Sequence, residues 1–229
     1  MSDPRDGLIG RVVRGKTFAD LGGLWGTVNE KVSVAHRHGA SALTMIDRIT
    51  KEEPDWRAFE EHCKSLALPH VECRSEDILA LGQGTDCEQY DVTHCSGVLY
   101  HLPDPLRLFE ALRRVTREYA VVGSIVTSTQ VIGPEGQLSI PEGACLFIPA
   151  LGEKERRIVQ SYWKTYVADG AVGLTHEIHS WVNTSYVPWW WLPTVTAFKA
   201  MAFAGGFEYV DGAYFWNDNA YVQLLRVKR

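Results

Sequence analysis

The run Asp20-Leu21-Gly22-Gly23-Leu24-Trp25-Gly26 is the first place in this 229-residue chain where residue types and spacing point to chemistry. Glycines in such a turn let a ligand approach the backbone, and a following helix offers N–H groups that have no partner of their own. Asp47 lies 21 residues past Gly26, about where nucleotide-binding α/β folds place an acid on ribose hydroxyls. Glu76-Asp77-Ile78 and Cys95-Ser96-Gly97 follow two further apolar runs. A dinucleotide fingerprint needs a second glycine two positions after the first, so that a pyrophosphate can touch the backbone. Here that position is Leu24, with Trp25 beside it, and no Walker A lysine is present. The pattern therefore suits a ligand that carries adenosine but no phosphate.

Histidines supply the candidate bases. His101 is the sharpest of them, with a ring packed under the next helix as the competing reading. His176 and His179, in Thr175-His176-Glu177-Ile178-His179-Ser180-Trp181, suggest a metal pair at first sight. In an extended segment they face opposite sides, so no metal is expected, and either is a candidate acceptor-orienting base. The five cysteines include no CxxC pair, which argues against a zinc knuckle or disulfide framework and favours a reducing cytoplasm. A net charge of −5 does not suit a grip on a phosphate backbone. Arg107, Arg113, Arg114 and Arg117 read instead as the solvated face of an amphipathic helix. No apolar run approaches the ~18 residues of a membrane span, and the polar start MSDPRDG does not read as a signal peptide.

These residues must be held by an alternating set of strands and helices. Thr17 to Leu21, Ala42 to Ile46, His70 to Cys73, Tyr90 to Cys95 and Tyr119 to Val126 read as five strands. Between them, Val28, Val32 and Ala35 mark one helix, and Trp56, Phe59, Cys63 and Leu66 a second that Pro69 stops. Asp104 as N-cap and Pro105 at the first helical position open a third helix, with Leu106, Phe109 and Leu112 along one face. Strands separated by helices imply a parallel sheet with helices on both faces.

Beyond Val126 the alternation lapses until Pro193 opens a helix that runs through Phe203 to Gly205-Gly206. One helix, from about Glu153 to Val167, is expected in between. Phe207 to Tyr214 and Ala220 to Val227, joined by Asn217-Asp218-Asn219, read as an antiparallel pair at one sheet edge. The expected fold is a single α/β domain over residues 1–229. It is doubly wound around a mostly parallel seven-stranded sheet with an antiparallel edge strand. Residues 127–192, inserted after strand five, are too long for an ordinary connection and read as a lid or substrate wall.

The motifs resemble those of class I (Rossmann-like) S-adenosylmethionine-dependent methyltransferases. Asp20 to Gly26 resembles that family's D-x-G-x-G-x-G motif, with Leu24 in place of the middle glycine. Asp47 matches its ribose-binding acid and Asp77 the residue at the adenine amine. Tyr90 to Pro105, with Val98-Leu99-Tyr100-His101-Leu102-Pro103-Asp104-Pro105, resembles its fourth motif and the common continuation of it. Leu192-Pro193 leading to Gly206-Phe207 resembles the helix before its sixth strand. The resemblance covers residues 16–126 and 192–229.

It implies S-adenosyl-L-methionine as cofactor, held by Asp20, Gly22, Gly23, Gly26, Asp47, Asp77, Ile78, Cys95 and Ser96. It also implies SN2 transfer of the methyl group to a nucleophile on a small or medium-sized metabolite, with a hydroxyl favoured. His101 then follows the strand end that faces the transferred methyl.

Sixteen of the 25 aromatic residues fall after residue 150. Ring faces attract positive charge, so aromatic walls suit a methyl donor that is a cation. Tyr100, Trp163, Trp189 and Trp190 are the acceptor-site candidates; three adjacent indoles at 189–191 cannot all point inward. Only about 15 residues precede strand one, so the lid is expected from the late insertion, a partner subunit such as a second copy of the chain, or both. Three other readings stay open, the last of them a dehydrogenase. An RNA-modifying enzyme is suggested by likeness of the Val98 to Pro105 segment to a tRNA wobble-uridine modifying family. A non-catalytic adenosine-binding module is suggested by Leu24.

Overall fold

The computed structural model describes residues 3–24, 30–84, 87–166 and 189–229. Helix α1 (Pro4–Val12) starts on an Asp3 cap, whose carboxylate accepts from the Arg5 N–H, with proline in its first turn. It leads into β1 (Thr17–Leu21), four of whose five residues are buried. There follow α2 (Val32–Arg37), β2 (Ala42–Asp47), α3 (Pro54–Ser65), β3 (Glu72–Ser75) and β4 (Tyr90–Ser96). Next come α4 (Leu106–Val115) and β5 (Thr116–Ile125), which share no loop.

The chain then forms a small hairpin, β6 (Gln130–Gly133) and β7 (Gly136–Ser139), followed by β8 (Cys145–Phe147) and α5 (Glu153–Trp163). It closes with β9 (Trp191–Pro193), α6 (Val195–Ala204), β10 (Phe207–Phe215) and β11 (Ala220–Val227).

Seven strands form one sheet in the order β3-β2-β1-β4-β5-β11-β10. All run parallel except β11, which is antiparallel to both β5 and β10. The reversed strand is therefore second from the edge, and β10 is the edge strand. Helices cover both faces, as the parallel core requires. On one side Leu8, Ile9, Val34, Ala35, Trp56 and Phe59 of α1, α2 and α3 pack on Phe18, Val92 and Val121. On the other, Leu108, Phe109 and Leu112 of α4 and Phe198 of α6 pack on Ala19, Cys95 and Val122. The strand order reverses direction at β1 and β4, and ligands in open α/β sheets bind outside the carboxyl ends at such a point.

Several boundaries differ from expectation. Helix α3 ends at Ser65, and Leu66 is 44% exposed instead of joining the apolar face. The cause is a left-handed Ala67 (φ +50°), with Ala67 N–H bonded to the Lys64 carbonyl and Leu68 N–H to that of Cys63. This is a Schellman stop in which alanine takes the usual glycine position, and it ends the helix before the chain reaches Pro69. Strand β3 starts two residues later than read, at Glu72, because it pairs with β2 from Thr44 onward.

Asp104 is not the cap of α4; Pro105 occupies that position without a side-chain bond. Helix α6 begins after Pro193, on a Thr194 cap that accepts from Ala197 N–H. Between residues 127 and 166 the sequence reading missed β6, β7 and β8, which are three or four residues long and largely unburied, so they carry no alternating apolar pattern. Helix α5 ends at Trp163 rather than Val167, and Val28 and Val167 themselves lie outside the described residues. Among the described residues no helix is long and apolar enough to cross a membrane.

Candidate active site

A cavity of about 920 Å³ opens at the carboxyl ends of β1 and β4. Its floor is the turn after β1, where Gly22 and Gly23 border it. Gly22 adopts φ +77°, and a Cβ there would sit 2.7 Å from Val98 Cγ2, so the position requires glycine twice over. A Cβ on Gly23 would meet the Asp20 carboxylate at 2.6 Å, which places that acid directly under the turn. Gly26 and Trp25 lie outside the described residues.

Leu24 accounts for the missing middle glycine. Its side chain is fully buried in the cluster that holds Val32 and Phe59, so it does not enter the cavity. Its N–H donates to Asp47 Oδ2 at 3.3 Å, while Ile49 N–H donates to Oδ1 at 3.1 Å. Asp47 is buried at the end of β2; that burial raises its carboxyl above the usual range, with the two N–H bonds acting in the opposite sense.

Asp47, Asp77 and Ile78 do not border the cavity. Asp77 is exposed and caps a short 3-10 turn through Leu79 N–H at 2.9 Å. Ile78 is buried, and its Cδ1 lies 3.2 Å from where a Gly22 Cβ would be.

The end of β4 supplies His94, Ser96 and Gly97 to the cavity. Cys95 points into the opposite core and can offer only its backbone; burial, aided by the nearby Asp20 and Asp47 charges, pushes its thiol far up. Tyr100 reaches the cavity from the following turn, and burial pushes its hydroxyl up to about 12. His101, expected as the base, does not border the cavity; its ring tilts against Tyr100 at 4.3 Å. The two residues are adjacent on a 3-10 turn, so they project in different directions. His176 and His179 lie outside the described residues.

The indoles also divide differently from expectation. Trp163 and Trp189 are buried in a core with Ile125, Ile148 and Leu192, standing behind Tyr100 rather than beside the cavity. Trp190 does not border it either: its N–H donates to the Tyr100 carbonyl at 2.7 Å and its ring stacks on Phe147. Among the described residues, the Phe, Tyr and Trp rings that reach the cavity, besides Tyr100, are Tyr214, Phe215 and Trp216, at the turn between β10 and β11. Trp216, Asn217 and Asp218 all have positive φ (53°, 52° and 62°), the left-handed backbone that such hairpin turns demand. The sequence marks this turn by its Asn217-Asp218-Asn219 run, but nothing in it says that the turn reaches back over the strand ends.

The first residues of the chain form another wall. Asp3, Pro4 and Arg5 border the cavity, and Arg5 Nη1 donates to Ser96 Oγ at 3.3 Å, with its guanidinium 5.0 Å from the Phe215 ring. The short leading segment, from which no lid was expected, thus contributes to the cavity wall. A proline start and an Asp3 cap allow nine residues to form a helix that reaches the site.

A second cavity of about 790 Å³ shares Tyr214 and Asp218 with the first. Thr127, Gln130, Glu142, Tyr162 and Thr196 border it, a polar lining with no lysine or arginine among the described residues. The described residues contain no group of three metal-ligating side chains. Of the arginines on and after α4, Arg114 donates to the carbonyls of Leu81 and Leu79, and Arg113 to that of Lys228.

No family pattern matches the sequence, and no curated protein matches it. Solved structures do resemble the fold. The 1,6-didemethyltoxoflavin N1-methyltransferase of Burkholderia thailandensis, solved with 1,6-didemethyltoxoflavin and S-adenosylhomocysteine, is similar at TM-score 0.58 and 11% identity, covering 99% of this chain and 77% of that one. The magnesium protoporphyrin IX methyltransferase of Synechocystis PCC 6803, with S-adenosylhomocysteine, gives 0.57 and 11%, covering 99% and 82%. A mitomycin 7-O-methyltransferase gives 0.58 and 12%, covering 98% of this chain and 53% of its own. The chain has the fold of class I S-adenosylmethionine-dependent methyltransferases.

Proposed function

We propose that the chain is an S-adenosylmethionine-dependent methyltransferase acting on a small or medium-sized metabolite, with a hydroxyl as nucleophile. The observation that carries this reading is the cavity itself. In a methyltransferase fold, a glycine turn at the end of β1 faces a wall of Tyr100, Tyr214 and Trp216 across a space large enough for a nucleoside and an amino acid. The residues fit the cofactor: Gly22 and Gly23 leave backbone open to a ligand, Leu24 turns its side chain away, and Asp47 ends β2 beside that turn.

When bound, the cofactor supplies a methyl group already activated on a sulfonium. The protein's part is then to bind, align and keep water out. Alignment of two reactants can contribute about 7–11 kcal/mol. Gly22, Gly23, Ser96 and Gly97 form the bed, with Asp47 as the candidate ribose acid. Tyr100, Tyr214 and Trp216 border the cavity, and aromatic rings suit a cation. The second cavity, joined to the first at Tyr214 and Asp218, is our candidate for the acceptor chamber. Five free thiols suit a reducing cytoplasm.

Thermal melting with S-adenosylhomocysteine and with NAD tests the reading. Stabilisation by S-adenosylhomocysteine, and not by NAD, is the expected result; stabilisation by NAD alone would sink it. Labelled-methyl transfer to fractionated cell metabolites would then identify the acceptor.

A further inference from the structure

Asp20 of β1 and His94 of β4 are register partners on neighbouring parallel strands, so their side chains emerge on the same face of the sheet. Both are buried, at 0% and 1% exposure. Asp20 Oδ1 lies 2.7 Å from His94 Nδ1, and Asp20 Oδ2 accepts the Lys31 N–H at 2.6 Å. A carboxylate held in this way fixes the ring and puts the proton of the neutral imidazole on Nδ1. The lone pair is then on Nε2, at the other edge of the ring. Nε2 is buried and has no hydrogen-bond partner among the described residues, although His94 borders the large cavity. Buried polar atoms are nearly always paired, so an orphan beside a cavity points to a ligand.

We propose that His94, oriented by Asp20, recognises the amino-acid end of the cofactor, with Nε2 accepting a hydrogen bond from its α-ammonium group. This rests on the methyltransferase reading above. Position favours this end of the ligand: the Asp20 carboxylate that anchors the ring lies directly beneath Gly23, in the turn that forms the cofactor bed. Charge favours a cationic donor. Asp20 and Asp47 are buried close by, while Asp3 and Arg5, which both border the cavity, are paired with each other. None of the residues expected from sequence as bases is needed for this role.

The test is calorimetric binding of three ligands to the full chain: S-adenosylhomocysteine, its analogue lacking only the α-amino group, and 5′-methylthioadenosine, which lacks the whole amino acid. The wild type should bind S-adenosylhomocysteine at least tenfold more tightly than the deamino analogue. In His94→Leu that preference should vanish, with affinity for 5′-methylthioadenosine unchanged. His94→Gln provides a second variant that keeps a polar side chain beside Asp20, should the leucine variant fail to fold. Equal binding of the first two ligands by the wild type overturns the inference while leaving the cofactor reading intact. So does an equal loss for all three ligands in a folded variant. Binding of no adenosine ligand by the wild type removes the cofactor reading itself, and the inference falls with it.

Discussion

The backbone N–H of Leu24 donates to Asp47 Oδ2 at 3.3 Å, tying the turn after β1 to the end of β2. The carboxylate thus has two duties, holding the turn in place and standing beside the proposed ribose site. Asp47→Ala should lower S-adenosylhomocysteine affinity by about 10–100-fold, the range for a hydrogen bond to a charged group. The measurement is calorimetric titration, with circular dichroism to check that the fold persists. Unchanged affinity would mean that the ribose assignment is wrong.

The same carboxyl gives a pH dependence in the free protein. Burial raises its folded-state pKa above the 3.8 of an unfolded aspartate, and its bonds from Ile49 and Leu24 only partly oppose this. Between those two values the folded form binds more protons, so this group's contribution to stability falls as pH rises through its folded pKa. Denaturant titrations of wild type and Asp47→Ala across that window should therefore give a stability difference that changes in the variant's favour with rising pH. A pH-independent difference would contradict the burial argument.

Sequence patterns exposed the sheet better than the site. The five parallel strands and the antiparallel pair were legible because their apolar residues are bounded by turn residues, and Gly22 and Asp47 because motif spacing survives in the chain. His94 was not singled out. Its cue was a polar residue inside the apolar run Tyr90-Asp91-Val92-Thr93-His94-Cys95, but its partner is Asp20, 74 residues away, and only the β1–β4 pairing brings them together. Of the aromatic residues expected at the acceptor site, Tyr100 borders the cavity, while Trp163, Trp189 and Trp190 do not. Composition cannot tell Trp163, buried behind Tyr100, from Trp216, which stands over the cavity.

That distinction gives a paired prediction. Trp163 is 1% exposed in a small core, and Trp163→Ala should cost about 3–5 kcal/mol, seen as a large drop in Tm. Trp216 is 43% exposed, so Trp216→Ala should leave Tm within a few degrees while weakening ligand binding. The reverse pattern would return Trp163 to the acceptor site.

Asp3 gives a pH effect of opposite sign. Burial alone would raise its carboxyl, but hydrogen bonds and charge from Arg5 and Lys31 outweigh this and hold it well below the usual range. A depressed acid adds stability that is fully present above the unfolded value near 3.8 and is lost as pH falls towards the folded one. Asp3 also caps α1, so Asp3→Ala should cost about 0.5–2 kcal/mol at pH 7. In urea titrations that gap should narrow below pH 4. A gap that stays constant down to acid unfolding would leave only the cap and not the ion pairs.

Gly22 separates backbone strain from crowding. At φ +77° an alanine carries the left-handed penalty of about 1–2 kcal/mol, and its Cβ would lie 2.7 Å from Val98 Cγ2. Overpacking of that kind adds about 1–3 kcal/mol. Gly22→Ala should therefore destabilise the protein by the sum of the two and displace the turn proposed as the cofactor bed. Val98→Ala in the same chain removes the methyl that is struck but not the strain. The double variant should recover only the crowding part, which appears as a favourable coupling energy in a denaturant double-mutant cycle. Full recovery would place the whole cost in the contact; no recovery would place it in the backbone, and Gly22 would then be required by its φ alone.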